Sequence, residues 1–209
     1  MCYSEESSLT SFIIGGTASL YLLFFAKDNT NRHVGLFLFS VCLMQLLEYF
    51  MWKDQKCGLM NDIASRSVML ILSLQLYSIF LGAYIYNTSI IPTNILKIIL
   101  ILLTPIFVYY GSNNYFDKNK KWCTKPNEDN SLQWANHNNT TYSSYIYYLI
   151  FLIFPFLLKK MEKGILILLF GIATFMYTRY ENTNTSNSRW CYFSSYLPLI
   201  FILFEKFKI

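Results

Sequence analysis

The chain has 209 residues, enough for one domain or two very small ones. It is 54% hydrophobic and 19% aromatic but only 14% charged, against about 25% charge in a typical soluble domain. That balance excludes disordered, collagen-like and coiled-coil chains. Two histidines argue against a His-rich metal site, and the net charge of +5 is scattered, which argues against nucleic-acid binding.

What remains is an all-α polytopic membrane protein. A helix needs about 20 mostly apolar residues to cross a hydrocarbon core of ~30 Å. Seven such runs are expected: residues 9–26, ended by Lys27-Asp28-Asn29; 33–52, ended by Lys53-Asp54; 62–86, ended by Asn87; 90–110, ended by Gly111-Ser112; 142–158, ended by Lys159-Lys160; 164–180, ended by Glu181; and 190–204, ended by Glu205-Lys206. A soluble helical bundle does not fit, because most of these segments are apolar all round rather than along one stripe. The first run does not read as a secretory signal peptide, since Glu5 and Glu6 precede it where Lys or Arg belongs. Its Gly15-Gly16-Thr17-Ala18-Ser19 patch lets another helix approach closely. Pro105 and Pro155 are expected to kink the fourth and fifth spans, with Thr104 available to satisfy a freed carbonyl.

Seven spans put the termini on opposite sides. The short-loop basic residues Lys27, Arg32, Lys159, Lys160, Lys163, Lys206 and Lys208 favour an extracytoplasmic N-terminus and a cytoplasmic C-terminus. Cys2, Cys57, Cys123 and Cys191 then share the outer face, where four thiols form two disulfides in one of three connectivities or stay reduced. N-x-[ST] patterns occur at Asn138, Asn139 and Asn184 on that face and at Asn87 on the other. Residues 111–141 form a long outer loop carrying Trp122, Cys123, Pro126 and Trp134. Loops of this length are functional or disordered. This one is a lid, a surface for a protein partner, or a plain solvated connection.

Ionisable groups inside a membrane are costly and commonly face the bundle interior. Gln45, Glu48 and Trp52 share one face of the second span. Asp62 and Arg66 open the third span as i, i+4 neighbours, Gln75 lies deeper in it, and Arg179 ends the sixth. Together they define a candidate polar cavity. Glu48 either exchanges a proton, binds a cation or acts as a base, or it forms an ion pair with Arg66 or Arg179 that fixes packing. Tyr49, Phe50, Trp52, Tyr109, Tyr110, Tyr177, Tyr180, Trp190 and Tyr192 read as an interfacial aromatic belt.

Several chemistries lack their residues. The last span has no central lysine for a retinal Schiff base, His33 and His137 form no zinc spacing, and no Walker-A, G-x-S-x-G or C-x-x-C pattern occurs. No cofactor or metal is therefore expected. Three functions stay open: a transporter or channel for a small solute or ion at Glu48, a structural or interaction protein acting through the 111–141 loop, and an intramembrane enzyme, which lacks a recognisable nucleophile and base.

The string Met44-Gln45-Leu46-Leu47-Glu48-Tyr49-Phe50-Met51-Trp52, followed by Asn61-Asp62-Ile63-Ala64-Ser65 and by Ser188-Arg189-Trp190-Cys191-Tyr192-Phe193, resembles an uncharacterised family of multi-pass membrane proteins of giant DNA viruses and some protists. That resemblance implies a viral or host membrane and makes the Gln45/Glu48/Trp52 face and the Trp190-Cys191 pair hallmarks. It carries over no catalytic residue. By span count alone the chain is also similar to three-plus-one-plus-three sugar transporters, although Thr174 and Tyr177 stand where a repeat would place Gln45 and Glu48.

Overall fold

A computed structural model of the chain describes residues 4–116, 121–128, 130–135, 152–181 and 185–207. Its first three helices are α1 (Glu5–Phe25), α2 (Asn29–Lys53) and α3 (Leu59–Tyr86). Each boundary has a local cause. Ser4 Oγ accepts the Ser7 amide at 3.1 Å and caps α1. Asp28 caps α2 by accepting the Thr30 amide at 3.0 Å. Asp54 accepts the amides of Gly58 at 2.9 Å and Asn61 at 3.2 Å, which satisfies the start of α3. A Cβ on Gly58 would sit 2.6 Å from that carboxylate, so a larger residue there would push the capping side chain aside. α3 stops at Asn87, whose left-handed φ of 51° an Asn side chain tolerates.

α4 (Thr93–Phe116) packs on α3 and runs six residues past the expected end at 110. It passes through Pro105 as a helix. The Thr104 hydroxyl bonds Leu100 O at 2.8 Å, its own i−4 carbonyl, rather than the Ile101 carbonyl that the proline frees. Residues 152–157 are helical, and most of the expected 142–158 span lies outside the described residues. α5 (Met161–Glu181) follows.

The expected seventh span is corrected. Residues 190–204 belong to two helices, α6 (Ser186–Ser194) and α7 (Leu197–Phe207), of 9 and 11 residues. Pro198 has no amide hydrogen, and its ring disfavours a helical bond at the Ser194 carbonyl. The amides of Ser195 and Tyr196 close the break with short-range bonds to Cys191, Tyr192 and Phe193 carbonyls. Among the described residues four helices are long and apolar enough to cross a membrane: α1, α2, α3 and Met161–Tyr180 of α5. The apolar part of α4, Thr93–Tyr109, is shorter. Among the described residues the regular structure is therefore helical apart from a two-stranded hairpin, and the helices suit an integral membrane protein.

α2 is the pillar. It packs on α1, α3, α6 and α7, and Val34, Phe37, Leu38, Val41, Met44 and Met51 are buried along it. Small residues bring the helices together, as they do where lipid gives no hydrophobic drive between them. A Cβ on Gly35 would meet Leu23 N at 2.7 Å and Ser19 O at 2.8 Å, so α2 touches the backbone of α1. The expected contact at Gly15 is also present, against Ser195 O. Exposed Ile98, Ile101 and Leu102 on α4 and Leu169 and Met176 on α5 give the bundle an apolar exterior.

The two ends of the bundle are held differently. At one end lie Ser4, the turn from Asp54 to Gly58, residues 121–135 and the start of α6. At the other, Asp28 pairs with Lys160 at 2.9 Å and with Lys163. Glu205 of α7 accepts the Lys27 amide at 2.8 Å and Asn31 Nδ2 at 3.1 Å. Thr88 O accepts the Lys159 amide at 2.8 Å, and Leu157 O accepts the Ile90 amide at 2.9 Å. Partial burial alone would raise the Asp28 pKa, but the hydrogen bonds from Lys163, Lys160 and the Thr30 amide outweigh it and hold it at about 2.

The depressed pKa stabilises the fold above the unfolded value of 3.8 and stops doing so as pH falls toward about 2. Asp28→Asn is expected to cost about 1 kcal/mol at neutral pH after solvent screening. Its deficit against wild type should shrink between pH 4 and pH 2, read as melting temperature in detergent; a constant deficit would refute the linkage. Gly35→Leu is expected to cost about 1–3 kcal/mol by overpacking the α1–α2 contact, and an unchanged melting temperature would show that the contact is not tight.

Candidate functional site

Glu48 lies on α2 three residues after Gln45, so both side chains leave the same face. Both are fully buried. Gln45 Nε2 donates to Glu48 Oε2 at 2.9 Å, and Ser11 of α1 donates to Gln45 Oε1 at 2.9 Å. Glu48 Oε1 accepts the indole N–H of Trp134 at 3.1 Å. A carboxylate out of water must have donors, and two come from α2 itself and from the segment that covers the bundle.

That segment, described over residues 121–128 and 130–135, is a folded cap. Its hairpin pairs β1 (Lys125–Pro126) with β2 (Leu132–Gln133). The turn closes with the Asn127 amide on Ser131 O at 2.9 Å and with Asn130 at a φ of 53°. Leu132 and Trp134 are buried while Lys125, Pro126 and Gln133 are exposed, so the hairpin has an inner and an outer side.

Four further attachments hold the cap. A disulfide joins Cys57 to Cys123 with Cα atoms 5.3 Å apart. Asn61 Nδ2 donates to the carbonyls of Met51 (3.2 Å), Asp54 (3.1 Å) and Thr124 (2.9 Å), and Asn61 Oδ1 accepts from the Thr124 amide and the Ser65 hydroxyl. Asn61 thus pairs with Thr124 as a neighbouring strand would. Asp62 Oδ1 accepts the Trp122 amide at 2.7 Å, while its Oδ2 pairs with Arg66 Nε at 2.8 Å. Arg189 of α6, 5% exposed, donates to Ser131 Oγ at 3.0 Å. The Gly58 and Asn61 amides also hold the Asp54 carboxyl below its usual pKa, which keeps the turn beneath the cap charged and capped.

The sequence-derived candidates divide accordingly. Gln45, Glu48, Asp62 and Arg66 come together at the cap end. Trp52 packs against the core, but the indole that reaches Glu48 belongs to Trp134. Gln75 is buried deeper in α3, about 7 Å below Glu48 by helix rise and one turn short of the level where Ser78 bonds Ser40. Arg179 is exposed on α5 and makes no ion pair among the described residues. A buried base that does reach the cap, beside Arg66, is Arg189. Of the four outer cysteines, Cys57 and Cys123 are joined, Cys191 is free and buried within electrostatic reach of Glu48, and Cys2 lies outside the described residues. Trp190 is also corrected: it is buried rather than in the aromatic belt, and its indole donates to Gly171 O at 3.3 Å. Glu48 itself is fully buried, with the Trp134 indole against its carboxyl group.

Sequence reasoning missed Ser11, Asn61 and Trp134 as members of the site. The signals were present: a tryptophan in a polar loop, and Asn61 one residue before the Asp62 that was chosen. No family model, curated protein or solved structure matches this chain.

Trp134→Phe is expected to destabilise the protein by about 1–3 kcal/mol, because a buried acceptor loses one of its donors. The loss should be smaller in a Glu48→Gln background, where the remaining acceptor is neutral. Equal losses in the two backgrounds would mean that the indole and the carboxylate are not coupled.

Proposed function

We propose that this protein is a multi-pass integral membrane protein that presents residues 121–135 as a fixed surface to a protein partner, with the Glu48 network as its anchor. The observation that carries this reading is the Trp134–Glu48 bond beneath a disulfide-linked cap. Loops carry function when a rigid scaffold positions them, and this one is fixed by α2, α3 and α6 at once. The spans beyond the four long apolar helices belong to the same proposal: α4, the helix ending at 157 and the paired α6–α7 complete a seven-helix arrangement. So does the membrane itself, viral or host, which rests on the resemblance of the Met44 to Trp52 string.

The cap end is proposed to be extracytoplasmic, with the N-terminus. A disulfide persists in an oxidising compartment, and Lys27, Arg32, Lys159, Lys160 and Lys163 gather at the opposite end, as the positive-inside rule requires of a cytoplasmic face.

A second reading has its own support. Buried polar groups recur along α2, from Glu48 and Gln45 through Ser40 with Ser78 to His33, whose Nδ1 meets Thr88 Oγ1 at 2.7 Å. Intramembrane polar groups mark ion and solute paths, and Glu48 under a closed cap would be the occluded site of a small-solute or ion transporter.

The two readings part on Glu48→Gln. If Glu48 is an anchor, the variant leaves ion and solute flux across reconstituted vesicles unchanged and speeds tryptic cleavage after the exposed Lys121. If it is a transport site, flux changes. Orientation is read separately. After reduction of intact cells, a membrane-impermeant maleimide should label Cys57 and Cys123; labelling only after permeabilisation would invert the topology.

A further inference from the structure

The end of the bundle opposite the cap carries charge that its own contacts do not use. Among the described residues it holds Lys27, Arg32, Lys97, Lys159, Lys160, Lys163 and Lys206, against Asp28, Glu162 and Glu205. Two of the three acids are committed. Asp28 is shared by Lys160 and Lys163 and caps α2, and Glu205 is bonded to the Lys27 amide and Asn31. Lys159 Nζ rests on Asn87 O and Oδ1 at 2.9 and 3.0 Å, and Arg32 Nε on Ala26 O at 2.8 Å. These contacts give the bases fixed positions, but carbonyls and amides do not neutralise them. The ammonium groups of Lys27, Lys97 and Lys206 are exposed and enter no ion pair or hydrogen bond among the described residues.

The same end carries exposed apolar side chains: Phe24 and Phe25 at the end of α1, Ile90 before α4, Met161 opening α5 and Phe207 closing α7. Lysines beside large apolar groups at helix ends suit the boundary between headgroups and acyl chains, where the stem lies in hydrocarbon and the ammonium reaches outward. The partner such a surface fits has negative charge at the end of an apolar body.

We infer that this basic end is a docking surface for the headgroups of anionic phospholipids, centred on Lys27, Lys97 and Lys206. The attraction is electrostatic, so it weakens with salt. The inference rests on the membrane reading but not on the role given to the cap.

The test uses the full chain reconstituted in phosphatidylcholine vesicles. Spin-labelled phosphatidylglycerol and phosphatidylcholine report which lipid the protein retains at its surface. Wild type should retain phosphatidylglycerol several-fold over phosphatidylcholine, and high salt should bring the ratio toward one. The variant Lys27→Gln/Lys97→Gln/Lys206→Gln should lose the preference at low salt with an unchanged melting temperature, since none of its three ammonium groups holds the fold. A cap-end control, Lys53→Gln/Lys125→Gln, should keep it. No preference in wild type, or a preference lost in the control and kept in the triple variant, would overturn the inference. Resistance to alkaline extraction is measured alongside. If the protein is extracted, the membrane reading falls and this inference with it; if it resists extraction but shows no preference, only this inference falls.

Discussion

A carboxylate buried at the end of a mostly apolar bundle sets the terms for everything around it. Desolvating Glu48 costs several kcal/mol unless donors replace water. Gln45 supplies one donor and Trp134 another, and Ser11 in turn satisfies Gln45. The network joins α1, α2 and the cap through side chains that have no water to fall back on. Removing any one member takes a partner from the next, so the cap segment is part of the bundle's interior rather than an appendage to it.

The attachments of the cap differ in kind, and that difference has consequences. The disulfide restricts the unfolded chain by tying residues 66 apart in sequence. The Asn61–Thr124 pairing acts only in the folded state and fixes direction, since one amide group meets both the N–H and C=O of Thr124. The Trp134 indole adds depth. A covalent tie near one end of a short hairpin leaves its register free, whereas the polar contacts specify it. The cap therefore needs both, and reduction alone would leave the polar attachments of Asn61, Asp62, Glu48 and Arg189 in place.

How much of this was legible in the sequence follows from the physics of each signal. Long apolar runs are read residue by residue, so α1, α2 and α3 stand close to their expected places. The last span was misjudged because hydropathy does not register a break: Ser195 and Tyr196 sit in an apolar context, and Pro198 acts on backbone geometry. Glu48, Gln45, Asp62 and Arg66 were found because cost marks them, an ionisable or amide group inside a span being expensive wherever it points. Their partners were not. Asn61, Ser11 and Trp134 are unremarkable locally and acquire their roles from contacts across 34 to 86 positions. Arg179 shows the reverse error. Depth along a helix can be counted from sequence, but the side of the helix facing the bundle depends on its neighbours, and α5 turns Arg179 outward while α6 turns Arg189 in.

The two ends of the molecule solve one problem by opposite means. At the cap, covalent and buried polar contacts close the helix ends, and water is excluded. At the basic end, Asp28 and Glu205 tie α1, α2, α5 and α7 through partly exposed ion pairs and amide contacts that water can compete for. Exposed pairs are weak individually, so that end gains order from acting as a network around Asp28 and Asn31. The contacts that salt screens most are thus the partly exposed ion pairs at the far end, not the buried bond between Trp134 and Glu48. One helix is common to both ends: the first turn of α2 is capped by Asp28, and its last turns carry Gln45 and Glu48.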